Sequence, residues 1–176
     1  MKALALLLLA APLWAAPGKP GRELVHEEAR FKMTAPKGWK TSKLSGADTG
    51  PGTSGAVFAA PKSSGPAARI VAVFYAEGNP HFKDAEDYLR GQTAALPVPV
   101  ADETTGPIEA AALGGLPAKR LTRQAPAKGG AVRQQVTVLG AKGGFYALTC
   151  SGPVADWKRL EPLFKAALAS FVPSPK

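Results

Sequence analysis

The chain has 176 residues, of which 45% are hydrophobic and 20% are charged, and its formal net charge at pH 7 is +9. This length is typical of a single domain and is large enough to bury a hydrophobic core without cross-links. Cys150 is the single cysteine in the sequence, which excludes an internal disulfide and a lipid anchor on a cysteine near the N-terminus.

The first residues predict a cleavable secretory signal peptide, residues 1–15. Lys2 supplies a positive charge, and the apolar run at 3–11 ends at Pro12. This run is well short of the ~20 residues that a membrane-spanning helix needs, so an uncleaved anchor is the less favoured alternative. We expect cleavage after Ala15, a disordered leader over 16–22, and a periplasmic or secreted mature chain without a transmembrane segment.

The first half of the mature chain contains strand patterns. Residues 28–34 alternate apolar and basic side chains, and a turn is predicted at 36–38. Residues 45–55 have the composition of a flexible loop. Residues 56–60 and 69–76 are further strand candidates, and the second is apolar on both faces. A strand that is buried on both faces predicts a central position in a sheet with helices on both sides.

Two helices are predicted. One starts with acidic residues at 84–87, continues with apolar side chains at helical spacing, and ends before Pro97. The other begins near Asp156, and Pro162 should kink it or restart it after one turn. Between the helices lie four strand candidates joined by Gly/Pro turns, at residues 108–112, 116–124, 132–139 and 144–150. Their short connections predict antiparallel pairing.

Two segments resemble parts of a known family. The strand that ends in Pro36-Lys37-Gly38-Trp39 resembles the opening of PsbP-like domains. The run at 144–150, followed by a helix that closes on Ala169-Ser170-Phe171, is similar to that family's last strand and helix. The resemblance covers residues 23–172 as a single domain and leaves 173–176 as a tail. It implies an α+β fold, an antiparallel β-sheet flanked by helices in an α/β/α sandwich.

The resemblance also implies a mode of action. PsbP-like proteins include photosystem assembly subunits, secretion chaperones and bacterial envelope proteins, and they act mostly by binding. The resemblance therefore implies no catalytic residues and no cofactor. The bacterial type of signal peptide does not fit a photosynthetic role.

Possible catalytic and metal-binding groups lack the surroundings that their chemistry needs. Residues 50–55 match G-x-G-x-x-G but precede a strand candidate, so no helix N-terminus is available to hold a pyrophosphate. His26 and His81 lie in separate polar segments, where we expect solvated side chains and no metal site. Cys150 lies in a strand-like apolar run that predicts a buried, inert thiol, with a nucleophile or an intermolecular disulfide as alternatives.

Acidic and aromatic candidates also have structural explanations. Asp84, Glu86 and Asp87 fit the electrostatics of a helix start better than a carboxylate site. Trp39 and Trp157 are expected to be buried anchors, with a role as ligand platforms as the alternative.

The distribution of charge is strongly asymmetric. Residues 16–109 contain 11 basic and 11 acidic side chains, whereas residues 110–176 contain 10 basic and 2 acidic ones, a net charge of +8. A hairpin built from 116–124 and 132–139 would gather basic groups on one side. The candidate binding residues for an anionic partner are Lys119, Arg120, Arg123, Lys128 and Arg133.

Two interpretations of this hairpin remain open. Its charge either only keeps the protein solvated, or it binds an anionic envelope component: a lipid headgroup, a cell-wall polymer or an acidic protein. Nucleic acid is not expected, because no aromatic residues are interleaved for base stacking.

The sequence favours a non-enzymatic binding or assembly module of the bacterial cell envelope. The alternative is a small envelope hydrolase or lipid-handling enzyme with a site assembled from scattered residues. A pocket in which Cys150 or a histidine meets carboxylates would favour the enzyme. A shallow basic face without such a pocket would favour the binding module.

Overall fold

The computed structural model describes residues 21–61, 67–93 and 102–174. The expected signal peptide and leader residues 16–20 lie outside this part of the chain, and so do residues 175–176 of the expected tail. The strands are β1 (Glu23–His26), β2 (Phe31–Thr34), β3 (Lys40–Leu44), β4 (Thr53–Ala59), β5 (Arg69–Ala76), β6 (Thr104–Thr105), β7 (Glu109–Leu113), β8 (Leu116–Ala125), β9 (Val132–Ala141), β10 (Gly144–Pro153) and β11 (Val172–Pro173). The helices are α1 (Gly46–Thr49), α2 (Ala85–Thr93) and α3 (Trp157–Ala169), the last preceded by a 3-10 turn (Val154–Asp156).

The strands form two antiparallel sheets. In the larger sheet the order is β3-β4-β5-β10-β9-β8, and β6 and β7 pair with different halves of the outer edge of β8. The smaller sheet has the order β1-β2-β11. β5 and β10 lie inside the larger sheet and pair from Ala76 opposite Gly144 to Arg69 opposite Ser151. The central position predicted for residues 69–76 is therefore confirmed.

One face of the larger sheet is covered by α3 and the smaller sheet. Helical spacing on α3 directs one stripe of side chains inward, namely Trp157, Leu160, Phe164, Ala167 and Leu168. Phe31 and Tyr146 meet Phe171 there, with ring centroids 5.4 Å and 5.1 Å from the Phe171 ring. The Tyr146 hydroxyl donates a hydrogen bond of 2.5 Å to the Arg30 carbonyl. This cluster is the main core of the domain.

The opposite face is covered in part by α2. Tyr88 of α2 packs on Phe145, which stacks in turn on Tyr75 at a centroid distance of 4.8 Å. Leu121 and Val136 complete this second apolar cluster. Helices therefore cover both faces of an antiparallel sheet, which confirms the predicted α+β class and its α/β/α layering.

The N-terminal part begins earlier than its sequence pattern suggested. The Arg22 carbonyl, assigned to the leader, accepts a hydrogen bond of 3.0 Å from the Ala35 amide, and β1 then pairs with β2. Residues 28–30 form a turn instead of the start of a strand, with Arg30 in the left-handed region at φ 52°. At the other end, the Ser174 amide donates to the Arg30 carbonyl, so ordered pairing extends past residue 172.

A further local prediction is wrong, and one of the two alternatives predicted at Pro162 is excluded. Residues 45–55 were expected to be a flexible loop, but they contain α1 and the start of β4, because the Ser45 amide and hydroxyl both donate to the Asp48 carboxylate. α3 does not restart at Pro162 but continues through it to Ala169. Pro162 lies on the exposed side of the helix, so the carbonyl that its missing amide leaves unpaired can bond to water.

Candidate functional site

The five predicted binding residues belong to the β8–β9 hairpin, but they do not form one surface. Lys119 and Arg123 share the face that α2 covers with the buried Leu121, whereas Arg120 and Arg133 lie on the α3 face. Lys128 lies in the exposed turn between the strands. The expectation of a single basic side is therefore wrong, because successive side chains along a strand alternate between its two faces.

Two of the five cations have carboxylate partners that are distant in sequence. Lys119 Nζ forms an ion pair with Glu86 of α2. Arg120 donates to Glu109 Oε2 at 2.9 Å across the β7–β8 pairing. The fold thus neutralises part of a stretch that contains no acidic residue of its own.

Of the remaining three cations, Arg123 and Arg133 contact uncharged side chains. Arg123 Nε donates to Gln134 Oε1 at 2.6 Å, and both residues are only partly buried. The Arg133 guanidinium lies over the Trp157 ring, 5.3 Å from its centroid, which fixes it against α3. Among the described residues, neither arginine nor Lys128 is in an ion pair.

The sheet register also brings together cations that the sequence did not connect. Arg123 of β8 lies in one cross-strand row with Arg69 of β5 and Lys40 of β3. We call Lys40, Arg69 and Arg123 the basic row. No local pattern in the sequence could have revealed the row, because its members come from three segments joined through intervening strands.

A small cavity lies on the other face of the hairpin. It has a volume of about 180 Å³ and is lined by Arg120, Gln135, Thr137 and Lys165, among others. Lys165 is already bonded to Glu161 at 2.8 Å, and Arg120 to Glu109. Both cations of this cavity are therefore already paired with carboxylates that lie outside its lining.

Cys150 has the surroundings of a structural residue. Its side chain is 0% exposed in the main core, and burial raises the pKa of its thiol to about 12. A thiol is nucleophilic only as its thiolate, so this group is unreactive near neutral pH. The expectation of a buried, inert cysteine is confirmed.

The two histidines differ from each other, and the prediction for one of them is wrong. His81 is exposed, as expected, but His26 is only 2% exposed and stacks on Phe31. Its Nδ1 accepts a hydrogen bond of 3.1 Å from the Ala29 amide, which closes the turn between β1 and β2. The turn thus supplies a partner for one ring nitrogen of this buried residue, while Nε2 is buried without a hydrogen-bond partner among the described residues.

His26 also borders a cavity of about 370 Å³ that contains carboxylates. Its lining includes Glu27, Glu28, Lys43 and Asp48. The Asp48 carboxylate accepts bonds from the Ser45 amide and hydroxyl, which lower its pKa, while the Nδ1 of His26 is bonded to the backbone. No His26–carboxylate hydrogen bond occurs among the described residues, so the cavity does not contain an acid–base pair.

The other candidates have structural roles. Asp84 caps α2, since its Oδ1 accepts bonds from the amides of Glu86 and Asp87 at 2.9 and 2.8 Å, and the Asp87 bond chiefly lowers the pKa of Asp84. Trp157 is 7% exposed in the core, and Trp39 packs edge-on against Phe164. Trp157 is therefore a buried anchor, as expected, whereas Trp39 is only partly buried against the core.

Metal-binding clusters and membrane-spanning helices are absent from residues 21–61, 67–93 and 102–174. No group of three or more His, Cys, Asp or Glu side chains is placed to hold a metal ion. No helix in these ranges is long and apolar enough to cross a membrane. The glycine-rich segment at 50–55 leads into β4, not into a helix.

Comparison with known proteins supports the fold. No family model and no curated protein sequence matches the chain. The solution structure of CyanoP, the PsbP protein of Synechocystis sp. PCC 6803, superposes with a TM-score of 0.57 at 14% identity, covering 93% of this chain and 99% of CyanoP. The fold is PsbP-like.

Two other solved structures share this PsbP-like fold. LpqN of Mycobacterium tuberculosis, which is involved in cell envelope biogenesis, has a TM-score of 0.53 at 17% identity over 90% of this chain and 87% of LpqN. PA94 of Pseudomonas aeruginosa, a protein of unknown function, has a TM-score of 0.54 at 18% identity over 88% of this chain and 98% of its own. At these identities the comparisons establish the fold alone.

Proposed function

We propose that the chain is an exported, non-catalytic binding or assembly module of the bacterial cell envelope, and that it engages an anionic partner. Its PsbP-like fold is also that of LpqN, an envelope biogenesis protein. The apolar run at 3–11 supports export. Buried Cys150 and the backbone-bonded His26 give no support to a hydrolase.

The distribution of unpaired cations carries the proposal of an anionic partner. In the described chain after Glu109, the cations without an ion pair are Arg123, Lys128, Arg133, Lys142 and Lys158. Charges that are not neutralised within the molecule maintain a field over about 8 Å at physiological salt. Of the hairpin residues, Arg123 and Lys128 are the members best placed to contact a partner, because Lys119 and Arg120 are ion-paired and Arg133 lies on Trp157.

The test measures both the export of the protein and its association with the cell envelope. The full chain with a C-terminal tag is expressed in a bacterium, and the cells are fractionated. We expect the protein outside the cytoplasm with an intact mass that starts at Ala16. The variant Leu7→Arg/Leu8→Arg interrupts the apolar run and should keep Met1 and remain inside. A wild-type chain that keeps Met1 would contradict export.

The processed chain is then sedimented with isolated envelope at low and at physiological salt. We expect co-sedimentation that weakens as salt rises, because exposed charges are screened over shorter distances. Envelope lipids and peptidoglycan are analysed before and after incubation. We expect no new products, and the appearance of hydrolysis products would favour the enzyme instead.

A further inference from the structure

The basic row is part of a continuous line of paired residues that crosses the larger sheet. Paired residues of adjacent antiparallel strands point to the same face, so the strand register places a continuous set of neighbours on the α2 side. From β3 to β8 these neighbours are Lys40, Ala59, Arg69, Ser151, Gln134 and Arg123. The set contains three cations and no acid.

Strand spacing fixes the distances along this line. Adjacent strands lie about 4.8 Å apart, so the backbone positions of Lys40 and Arg69 are separated by about 10 Å, those of Arg69 and Arg123 by about 14 Å, and the whole row spans about 24 Å. One small anion cannot contact all three cations of a row of this length. A ligand that uses all three must be extended and must lie across the strands.

Hydrogen bonds hold the two arginines without neutralising them. Arg123 Nε donates to Gln134 Oε1 at 2.6 Å, and Arg69 Nε donates to Ser151 Oγ at 3.4 Å. Both bonds use the inner nitrogen of the guanidinium, which leaves the two terminal nitrogens for a ligand. No member of the basic row forms an ion pair within the described residues.

The line of side chains is least exposed between Arg69 and Arg123. Ser151 is 3% exposed, Gln134 and Arg123 are partly buried, and Arg69 and Lys40 are exposed. A single flexible chain can follow this uneven surface more closely than a planar membrane can. The side-chain amide of Gln134 adds an uncharged donor between the cationic contacts.

We propose that the basic row binds a linear phosphate-bearing polyanion that lies across the strands of the sheet. Guanidinium groups bind phosphate oxygens through paired N–H donors, which suits Arg69 and Arg123 to this ligand. The proposal rests on the proposed binding function and names the class of its anionic partner. It also extends the binding surface from the hairpin residue Arg123 across the sheet to Arg69 and Lys40.

The experiment measures fluorescence anisotropy of a labelled linear polyphosphate, long enough to span the row, with the purified processed chain. Three contacts predict a slope of about −2 in log affinity against log salt, by analogy with single-stranded polyanions. Inorganic phosphate should compete only at far higher concentration. Phosphatidylglycerol vesicles are the third arm and should show no binding that depends on the row.

The variant Arg69→Gln/Arg123→Gln is compared with Arg159→Gln/Lys165→Gln, which removes the same charge from α3, on the opposite side of the sheet. We expect the row variant to bind polyphosphate about 30-fold more weakly, from about 1 kcal/mol per cation, and the matched control to change little. Circular dichroism and urea unfolding confirm that both variants fold. If the row variant does not fold, Lys40→Gln on the exposed edge strand should still weaken binding measurably.

Three results would overturn the proposal: no binding of polyphosphate, an equal loss in the row variant and the matched control, or row-dependent binding to vesicles in place of polyphosphate. The last result would identify a membrane-docking face. None of the three affects the export and envelope fractionation results, so failure of this proposal is distinguishable from failure of the proposed function.

Discussion

Substitution of Gly114 by alanine tests how the β7–β8 turn docks on the end of α3. Gly114 has φ +57°, and its amide donates to the Leu168 carbonyl at 3.1 Å. A Cβ atom at this position would lie 1.8 Å from the Phe171 carbonyl oxygen, so the turn or the helix end must move. Left-handed strain of about 1 kcal/mol, loss of the hydrogen bond at about 1 kcal/mol and overpacking at about 1–3 kcal/mol predict a total of about 3–5 kcal/mol.

Gly115 provides a matched control. It also has a left-handed φ, +79°, but no atom lies within 4 Å of its Cβ position. Gly115→Ala should therefore cost only the backbone strain, about 1 kcal/mol. Urea unfolding followed by circular dichroism gives both free energies, provided that the denaturant slope is unchanged. If Gly114→Ala is no more destabilising than Gly115→Ala, the turn does not pack against the end of α3 and this account of the core is refuted.

Three further predictions concern titration, hydrogen bonding and capping. Burial raises the pKa of Cys150 from its ordinary value of 9.0 to about 12, so above pH 9 the unfolded chain loses the proton first and stability falls as pH rises. Cys150→Ala should remove about 1.4 kcal/mol of the stability lost between pH 8 and pH 10 in urea unfolding, and equal pH dependence in both proteins would contradict this. Tyr146→Phe, which deletes the bond to the Arg30 carbonyl, should cost about 1 kcal/mol in the same assay, and no loss would show that the bond contributes nothing. Asp84→Ala should lower the melting temperature more than Asp84→Asn, which keeps an acceptor for the first turn of α2; equal losses would argue against capping.

Much of the fold could be predicted because its signals are local. Arg69–Ala76 is apolar on both faces, and this composition by itself indicated a central strand. The strands β8, β9 and β10 are each bounded by Gly/Pro turns, so their approximate limits followed from the sequence. α2 was marked by acidic residues at its start and by helical spacing.

β1 could not be predicted, for a physical reason that concerns His26. Its inward positions are Leu24 and His26, and a histidine breaks the apolar alternation on which a strand prediction depends. In the structure the histidine is buried because the Ala29 amide satisfies its Nδ1. The Ala29 amide is in position only once the turn has formed, so the periodicity of the sequence does not reveal this hydrogen bond.

The candidate site could also be predicted only in part from the sequence. Local charge density correctly predicted an excess of cations in the second half, but adjacent residues on a strand, such as Lys119 and Arg120, point to opposite faces. Cations become neighbours in an antiparallel sheet through register, which depends on every strand between them. Lys40, Arg69 and Arg123 align because the five successive pairings from β3 to β8 run without an inserted residue. A one-residue slip in any of these pairings would move one cation to the opposite face, so the basic row, unlike the charge of the hairpin, is a property of the folded sheet as a whole.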